Sequence, residues 1–255
     1  MRASKGKDDE ETFWLNDEKI LTYEACRFVP PPNECPDTVY NSWSGFLVEK
    51  YTATEEDNHL LDTHVLPFIK EIICNNYQPA AIYLINWLAQ LFQYPGAKTR
   101  TAIVLLGEEG VGKSKFTHLI EYMLGIGLHY RTTDLQNDCF GRFSNIAENR
   151  VMAFFEELEP KKVNAFYNKL MDLITSMSSR CEQKGIGHAF NISDFLRVII
   201  TTNAEHNLLR IRSKDRKFQY ISASNARQND AEYFGKLSDI IKRPGVQRAF
   251  YDYLM

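Results

Sequence analysis

Ile103-Val-Leu-Leu-Gly107-Glu108-Glu109-Gly110-Val111-Gly112-Lys113-Ser114 decides how the rest of the chain is read. An apolar, β-branched run from Ala102 to Leu106 leads into it, and Phe116, Leu119, Ile120, Met123 and Leu124 follow at helical spacing. The order is buried strand, glycine-rich turn, helix. Gly107 to Ser114 fits G-x-x-x-x-G-K-[ST], the loop that cradles phosphate. Gly107, Gly110 and Gly112 let the backbone fold tightly, so that N–H groups face inward. The helix opening at Lys113 adds its positive dipole end. Lys113 would reach the β- and γ-phosphates, and Ser114 would offer a hydroxyl to Mg²⁺. The expected cradle for ATP and Mg²⁺ is Gly107, Glu108, Glu109, Gly110, Val111, Gly112, Lys113, Ser114 and Lys115. A chance glycine turn is the alternative, and the flanking strand and helix argue against it.

At 255 residues and 44% apolar content, the chain has enough material for a real core. A net charge of −3 gives no global attraction to nucleic acid, so any such surface must be local, for example a pore lining. Cys26, Cys35, Cys74, Cys139 and Cys181 are odd in number and contain no C-x-x-C pair. That fits reduced thiols and no zinc site. The absence of a signal peptide or a spanning apolar run predicts a cytoplasmic or nuclear protein without a membrane partner.

Residues 1–12 are charged and small and read as a disordered end. Residues 13–98 read as an N-terminal extension, with short extended pieces and turns up to residue 50 and two helices after it. Pro30-Pro31-Pro32 excludes a helix in the first part. Thr54-Glu-Glu-Asp-Asn58 starts one helix that carries Leu60 through Ile73, and a second follows Pro79 and stops before Pro95-Gly96. The pair would form a lid or collar ahead of the nucleotide strand. Residues 99–225 read as the nucleotide-binding core and 226–255 as C-terminal helices. Strands alternating with helices predict an α/β fold with a parallel sheet.

Two further strand ends carry chemistry. Val151-Met-Ala-Phe-Phe155 runs into Glu156-Glu157. An ATPase of this type needs an acid on the strand beside the loop strand. Glu156 would hold Mg²⁺ partly through water, and Glu157 would polarise the attacking water. The alternative is a solvated turn through Glu159-Pro160. Leu196-Arg-Val-Ile-Ile200 ends in Thr201-Thr202-Asn203, where an amide can orient the lytic water or can simply form a turn. Arg210, Arg212, Arg216 and Lys217 precede the last strand. Arg216 is the first choice for an arginine reaching a neighbouring subunit's γ-phosphate, against a solvated basic loop. Arg180, Lys184 and His188 frame a glycine-containing hairpin that would grip a phosphate backbone, or be an ordinary exposed hairpin.

The ordered set Gly107–Ser114, Phe154-Phe-Glu-Glu157, Lys184-Gly185, Ile199-Ile-Thr-Thr-Asn203 and Arg216-Lys217 resembles the superfamily 3 helicases, in particular the helicase part of viral and phage primase–helicases of the poxvirus-like type. Tyr40-Asn-Ser-Trp-Ser-Gly45 and Tyr83-Leu-Ile-Asn-Trp-Leu-Ala89 extend the resemblance upstream, so that it spans roughly residues 35–222. It implies a P-loop NTPase of AAA+-like fold: an ATP-driven helicase in DNA replication, usually a hexameric ring moving on single-stranded DNA, with a primase or polymerase module as partner. In the resemblance, Lys113, Glu156, Glu157, Asn203 and Arg216 are catalytic, and the hairpin around Lys184 to His188 lines the pore. The family often has two arginines where this chain has Arg216-Lys217. Rival readings are a small-molecule kinase of the same fold, an ATP-binding ring scaffold or replication accessory without turnover, and a ring ATPase that loads or packages DNA.

Overall fold

The computed structural model describes residues 21–141, 146–158, 165–181, 190–203 and 216–255. The N-terminal stretch 1–12 and the candidate residues Lys184, His188, Arg210 and Arg212 lie outside the described residues.

Nine strands are described. β1 (Ala25–Arg27) and β2 (Val39–Asn41) form a small parallel pair. The main sheet is built from β3 (Ala102–Leu106), β4 (His129–Thr132), β5 (Met152–Phe155), β8 (Arg197–Thr202) and β9 (Phe218–Ser222). Its order is β4-β5-β8-β3-β9, with every neighbouring pair parallel. β3, β5 and β8 are buried along their whole length, whereas β4 and β9 carry half-buried positions. That burial sorts them: strands apolar on both faces take the middle, and those with polar positions take the edges. β6 (Ser178–Cys181) and β7 (Phe190–Ser193) pair antiparallel as the arms of the expected hairpin.

The order corrects one expectation. The acid pair does not follow the strand beside the loop strand. β8, which ends in Asn203, lies between β3 and β5. The amide is thus the loop's immediate neighbour, and the acids are one strand further out.

Alternation along the strands fixes the two faces. Ile103 and Leu105 of β3, Met152 and Phe154 of β5 and Ile199 of β8 belong to one apolar cluster. Ala102, Val104, Leu106, Ala153, Phe155, Val198 and Ile200 belong to the other. The first face packs on most of the helices: α1 (Glu55–Leu60), α2 (Gln78–Gln93), α3 (Lys113–Leu124), α5 (Ala231–Ile241) and α6 (Pro244–Leu254). The second packs on α4 (Tyr167–Thr175).

α1 starts as its sequence predicts. The Thr54 hydroxyl accepts from the Asp57 N–H, and the Asp57 carboxylate accepts from the Thr54 N–H. It does not continue as one α-helix to Ile73. Leu61–Val65 and Phe68–Ile73 are π-type turns, with the Leu66 N–H donating to the Leu61 carbonyl and the Cys74 N–H to the Ile69 carbonyl. Pro67 has no N–H to give, so the α ladder is interrupted between the two wide turns.

One charge lies inside the sheet layer. Arg197, 1% exposed, opens β8. Its guanidinium donates to the carbonyls of Tyr94, Pro95, Ala97 and Phe195 and to Gln90 Oε1. A buried arginine is tolerated because its donors are met. Here it ties the turn after α2 to the start of the strand that carries Asn203.

Candidate nucleotide-binding site

The loop between β3 and α3 takes backbone conformations that its glycines allow. Gly110 and Gly112 have φ of 81° and 95°. Both are also sterically required, because a Cβ on Gly110 would lie 2.0 Å from Asn229 Oδ1, and one on Gly112 would lie 2.5 Å from the Phe234 ring. The loop is therefore closed against a segment more than a hundred residues downstream. The Asn229 N–H donates to the Gly110 carbonyl at 3.1 Å. Gln228 Nε2 donates to Glu108 Oε2 at 2.7 Å and to the Glu109 carbonyl at 3.1 Å.

A cavity of about 400 Å³ opens at this loop. Glu109 to Lys115 form one side, with Glu157, Thr201 and Asn203 from the strand ends. Asn229, Asp230, Ala231 and Phe234 form the other. The second side has no counterpart in the sequence reading. Its position depends on long-range packing, and the only local signal is the helix start at Asp230, whose side chain accepts from the Tyr233 N–H.

Lys113 is buried at 8% exposure. Its ammonium donates to the carbonyls of Gly107 and Glu108 at 2.6 and 2.7 Å and to Asn203 Oδ1 at 3.0 Å. Burial pushes the ammonium below the ordinary lysine range, against the pull of the Glu157 and Glu109 carboxylates. Asn203 reaches Lys113 because it prolongs β8 past Thr202, which pairs with Leu106 at the mouth of the loop. Residues 199, 201 and 203 fall on the α3 side by alternation.

The two acids part company. Glu157 has φ of 51°, a left-handed conformation uncommon for a glutamate, and it lines the cavity. Its N–H donates to Thr201 Oγ1 at 3.4 Å. A strained residue at a strand end beside a buried cation is a pattern of functional sites. Glu156 is not among the cavity's lining residues. Its Oε1 accepts from Arg131 of β4 in a close ion pair. Arg131 also forks onto Glu121 of α3, through Nε and Nη2 at 2.8 Å each. Arg131 is not among the residues that the sequence motifs single out; its alternation with Tyr130 along β4 is the local signal.

Burial alone would raise the Glu121 carboxyl. The neighbouring His129 imidazole and the Arg131 guanidinium outweigh it and hold the group at about 2, against an ordinary 4.5. A depressed acid contributes stability above its unfolded pKa and loses it as pH falls through the folded one. A shift of that size corresponds to about 3 kcal/mol. Glu121→Gln should therefore be less stable than the wild type in urea at pH 6, with the gap closing between pH 4.5 and pH 2. A gap that stays constant over that range would show that the carboxylate carries no such linkage.

The remaining predicted residues lie apart. Arg216 is exposed at the entry to β9, and the neighbouring Lys217 carbonyl accepts from the Ala102 N–H. It sits at the opposite end of the sheet from the loop and does not line the cavity of its own chain. Arg180, exposed near the end of β6, borders a second cavity of about 300 Å³ with Lys169 and Phe140. Among the described residues, no cluster of three or more His, Cys, Asp or Glu is placed to hold a metal. Of the residues expected at the metal, Ser114 lines the cavity and Glu156 does not; one hydroxyl fits Mg²⁺, which takes few protein ligands and completes its shell with phosphate and water. No described helix is long and apolar enough to cross a membrane.

Three comparisons bear on this geometry. A family profile described only as a family of unknown function (DUF5906) matches residues 105–217, from inside β3 to the entry of β9. No curated protein matches. Among solved structures, the A form apo structure of the NrS-1 C terminal region is similar with a TM-score of 0.68 and 18% identity over 96% of this chain. The apo structure of NrS-1 residues 305–718 is similar with a TM-score of 0.63 and 19% identity over 88% of this chain. The chain spans 60% and 55% of those two structures respectively. The likeness is one of fold: an α/β architecture whose five-stranded parallel sheet is flanked by helices.

Proposed function

We propose that the chain is an ATP hydrolase of AAA+-like fold that acts as a DNA helicase in the replication of a virus, phage or mobile element. The observation that carries the reading is the cavity itself. One buried lysine, a glycine loop at a helix start, a strained glutamate and a strand-end amide converge on it, and they come from three separate stretches of sequence. The ordered motifs described above, which share these residues, support the same reading, and the fold shared with the NrS-1 C terminal region is compatible with it.

In this reading the loop N–H groups and Lys113 bind the phosphates of ATP. The Ser114 hydroxyl would hold Mg²⁺, which would supply Lewis-acid polarisation of the γ-phosphate. Glu156, paired with Arg131 and outside the cavity's lining, would support the metal only through water. Glu157 takes the proton of the attacking water, and Asn203 orients that water. Asn203 now binds Lys113, so phosphate binding would trade one partner for another and report the γ-phosphate to β8. Arg216, distant from its own cavity, is free to act on that of a neighbouring copy in a ring of six. The β6–β7 hairpin, with Arg180, Lys184 and His188, would follow the single strand through the pore. A primase or polymerase module would complete the replicative machine.

The test is ATP hydrolysis with and without single-stranded DNA. The expected result is strong stimulation by DNA, lost by at least about 100-fold in Glu157→Gln, as for removal of a general base. Hydrolysis indifferent to DNA would replace the helicase with a kinase or a DNA-free ring ATPase. ATP binding without turnover would favour a scaffold.

A further inference from the structure

Arg131 is held on several sides before it reaches Glu156. Its Nε and Nη2 make the fork on Glu121, Nη2 donates to Thr117 Oγ1 at 3.1 Å, and its guanidinium carbon lies 5.2 Å from the centre of the Phe154 ring. The fork, the hydroxyl and the ring fix the plane of the guanidinium and leave Nη1 aimed at Glu156. Thr117 in turn donates to the carbonyl of Ser114, one helical turn earlier, at 3.1 Å. A continuous chain of polar contacts thus runs from Ser114 through Thr117 and Arg131 to Glu156, the residue before Glu157.

We propose that Arg131 is a positioning residue for hydrolysis: by fixing Glu156 against the helix that carries Lys113 and Ser114, it holds Glu157 in the left-handed turn that points it into the cavity. The inference rests on reading that cavity as an ATP site. Backbone strain of this kind persists only where the surroundings over-determine it. Here Glu156 is anchored on one side by Arg131, and the Glu157 N–H is held on the other by Thr201. The Glu156 N–H still donates to the Thr132 carbonyl and the Leu158 N–H to the Thr201 carbonyl, so loss of Arg131 frees the Glu156 side chain and lets the carboxylate of Glu157 shift within the turn. Arg131 acts on the rate through these groups and has no contact with substrate in this role. Lysine is no substitute, since one ammonium cannot fork onto Glu121 and reach Glu156 together.

The experiment is a double-mutant cycle on the full chain with saturating single-stranded DNA, reading kcat, KM and the Kd of a non-hydrolysable ATP analogue with Mg²⁺. Arg131→Met keeps the apolar stem over Phe154. Arg131→Met and Glu156→Gln are each expected to lower kcat about 10- to 100-fold, the scale of a catalytic group misplaced by about 1 Å. The double variant should be no slower than the worse single one, since both act through the same contact. KM and analogue Kd should stay within about threefold in Arg131→Met, because its loss falls on the transition state alone, whereas Glu156→Gln also loses its water-mediated support of the metal. Arg131→Lys should not restore kcat. If Arg131→Met does not fold, Glu121→Gln loosens the fork while keeping Arg131 and Glu156, and should lower kcat with KM unchanged. Losses that multiply in the double variant, full activity in Arg131→Lys, or a fall in analogue affinity parallel to kcat in Arg131→Met would each overturn the positioning role. Analogue binding without turnover in the wild type would also overturn it, while sparing the ATP site. A wild-type chain that binds no nucleotide would sink the ATP site itself.

Discussion

Lys113→Ala is expected to abolish measurable ATP binding by this chain. The side chain makes three hydrogen bonds from a buried ammonium, to Gly107, Glu108 and Asn203. A charge-assisted hydrogen bond is worth about 1.5–3 kcal/mol, and a lysine on two phosphates makes more than one. The loss then comes to roughly 3–5 kcal/mol, or more than two decades of affinity. Truncation also strips the carbonyls of Gly107 and Glu108 of their donor, so the loop itself loosens. The measurement is titration calorimetry or fluorescence with Mg·ATP, beside a thermal melt to show that the fold survives. Because Lys113 lies buried at the start of α3, Lys113→Met, which keeps the apolar stem, is the milder companion: it should keep the melt and still lose the binding. Retained ATP affinity in both variants would remove the loop from the function, whatever its sequence pattern.

What the sequence disclosed and what it hid follow from distance along the chain. Strand, glycine turn and helix were legible from Ala102 to Leu124 because spacing and φ demands there are local. The strand ends at Glu156-Glu157 and Asn203 were legible too, since an apolar run that stops on a polar group marks its own edge. Strand order was not. Nothing in Val151–Phe155 or Leu196–Ile200 says which lies beside β3. Both are buried on both faces, so the answer rests on packing across the chain, and it placed Asn203 against Lys113. The partition of the acids was hidden for the same reason: only the pairing of Arg131 with Phe154 brings a guanidinium onto the same face as Glu156. The wall of Asn229, Asp230 and Phe234 is made by packing across more than a hundred residues. Pro67 did carry a local warning that the helix through Ile73 would not be uniform, and hydrophobic periodicity overrode it.

Asp194→Ala is expected to be the most destabilising single change outside the nucleotide cavity. Asp194 and Lys98 form an ion pair at 2.8 Å with side chains 0% and 1% exposed. Lys98 also donates to the carbonyls of Leu173 and Ser176, at 2.6 and 3.0 Å. Asp194 Oδ1 also accepts from the Leu196 N–H, and Oδ2 accepts from the Ser179 hydroxyl. One carboxylate thus joins the approach to β3, the start of β8 and the hairpin strand β6. Its removal strands a buried ammonium, which costs about 3–5 kcal/mol. For a chain of this length that is roughly 6–20 °C in Tm. Lys98→Met combined with Asp194→Leu should recover part of the loss, because an apolar pair needs no desolvation. The pH dependence has a definite sign. Burial already lowers the Lys98 pKa, and the attraction of Asp194 opposes that shift. Without Asp194 it falls further, so between the folded and unfolded values the unfolded chain binds more protons, and stability rises with pH. The deficit of Asp194→Ala should therefore shrink from pH 7 towards pH 10, as the stranded ammonium loses its proton. A deficit that is small and indifferent to pH would mean that Lys98 reaches solvent once its partner is gone, and that the hairpin base tolerates the opening this requires.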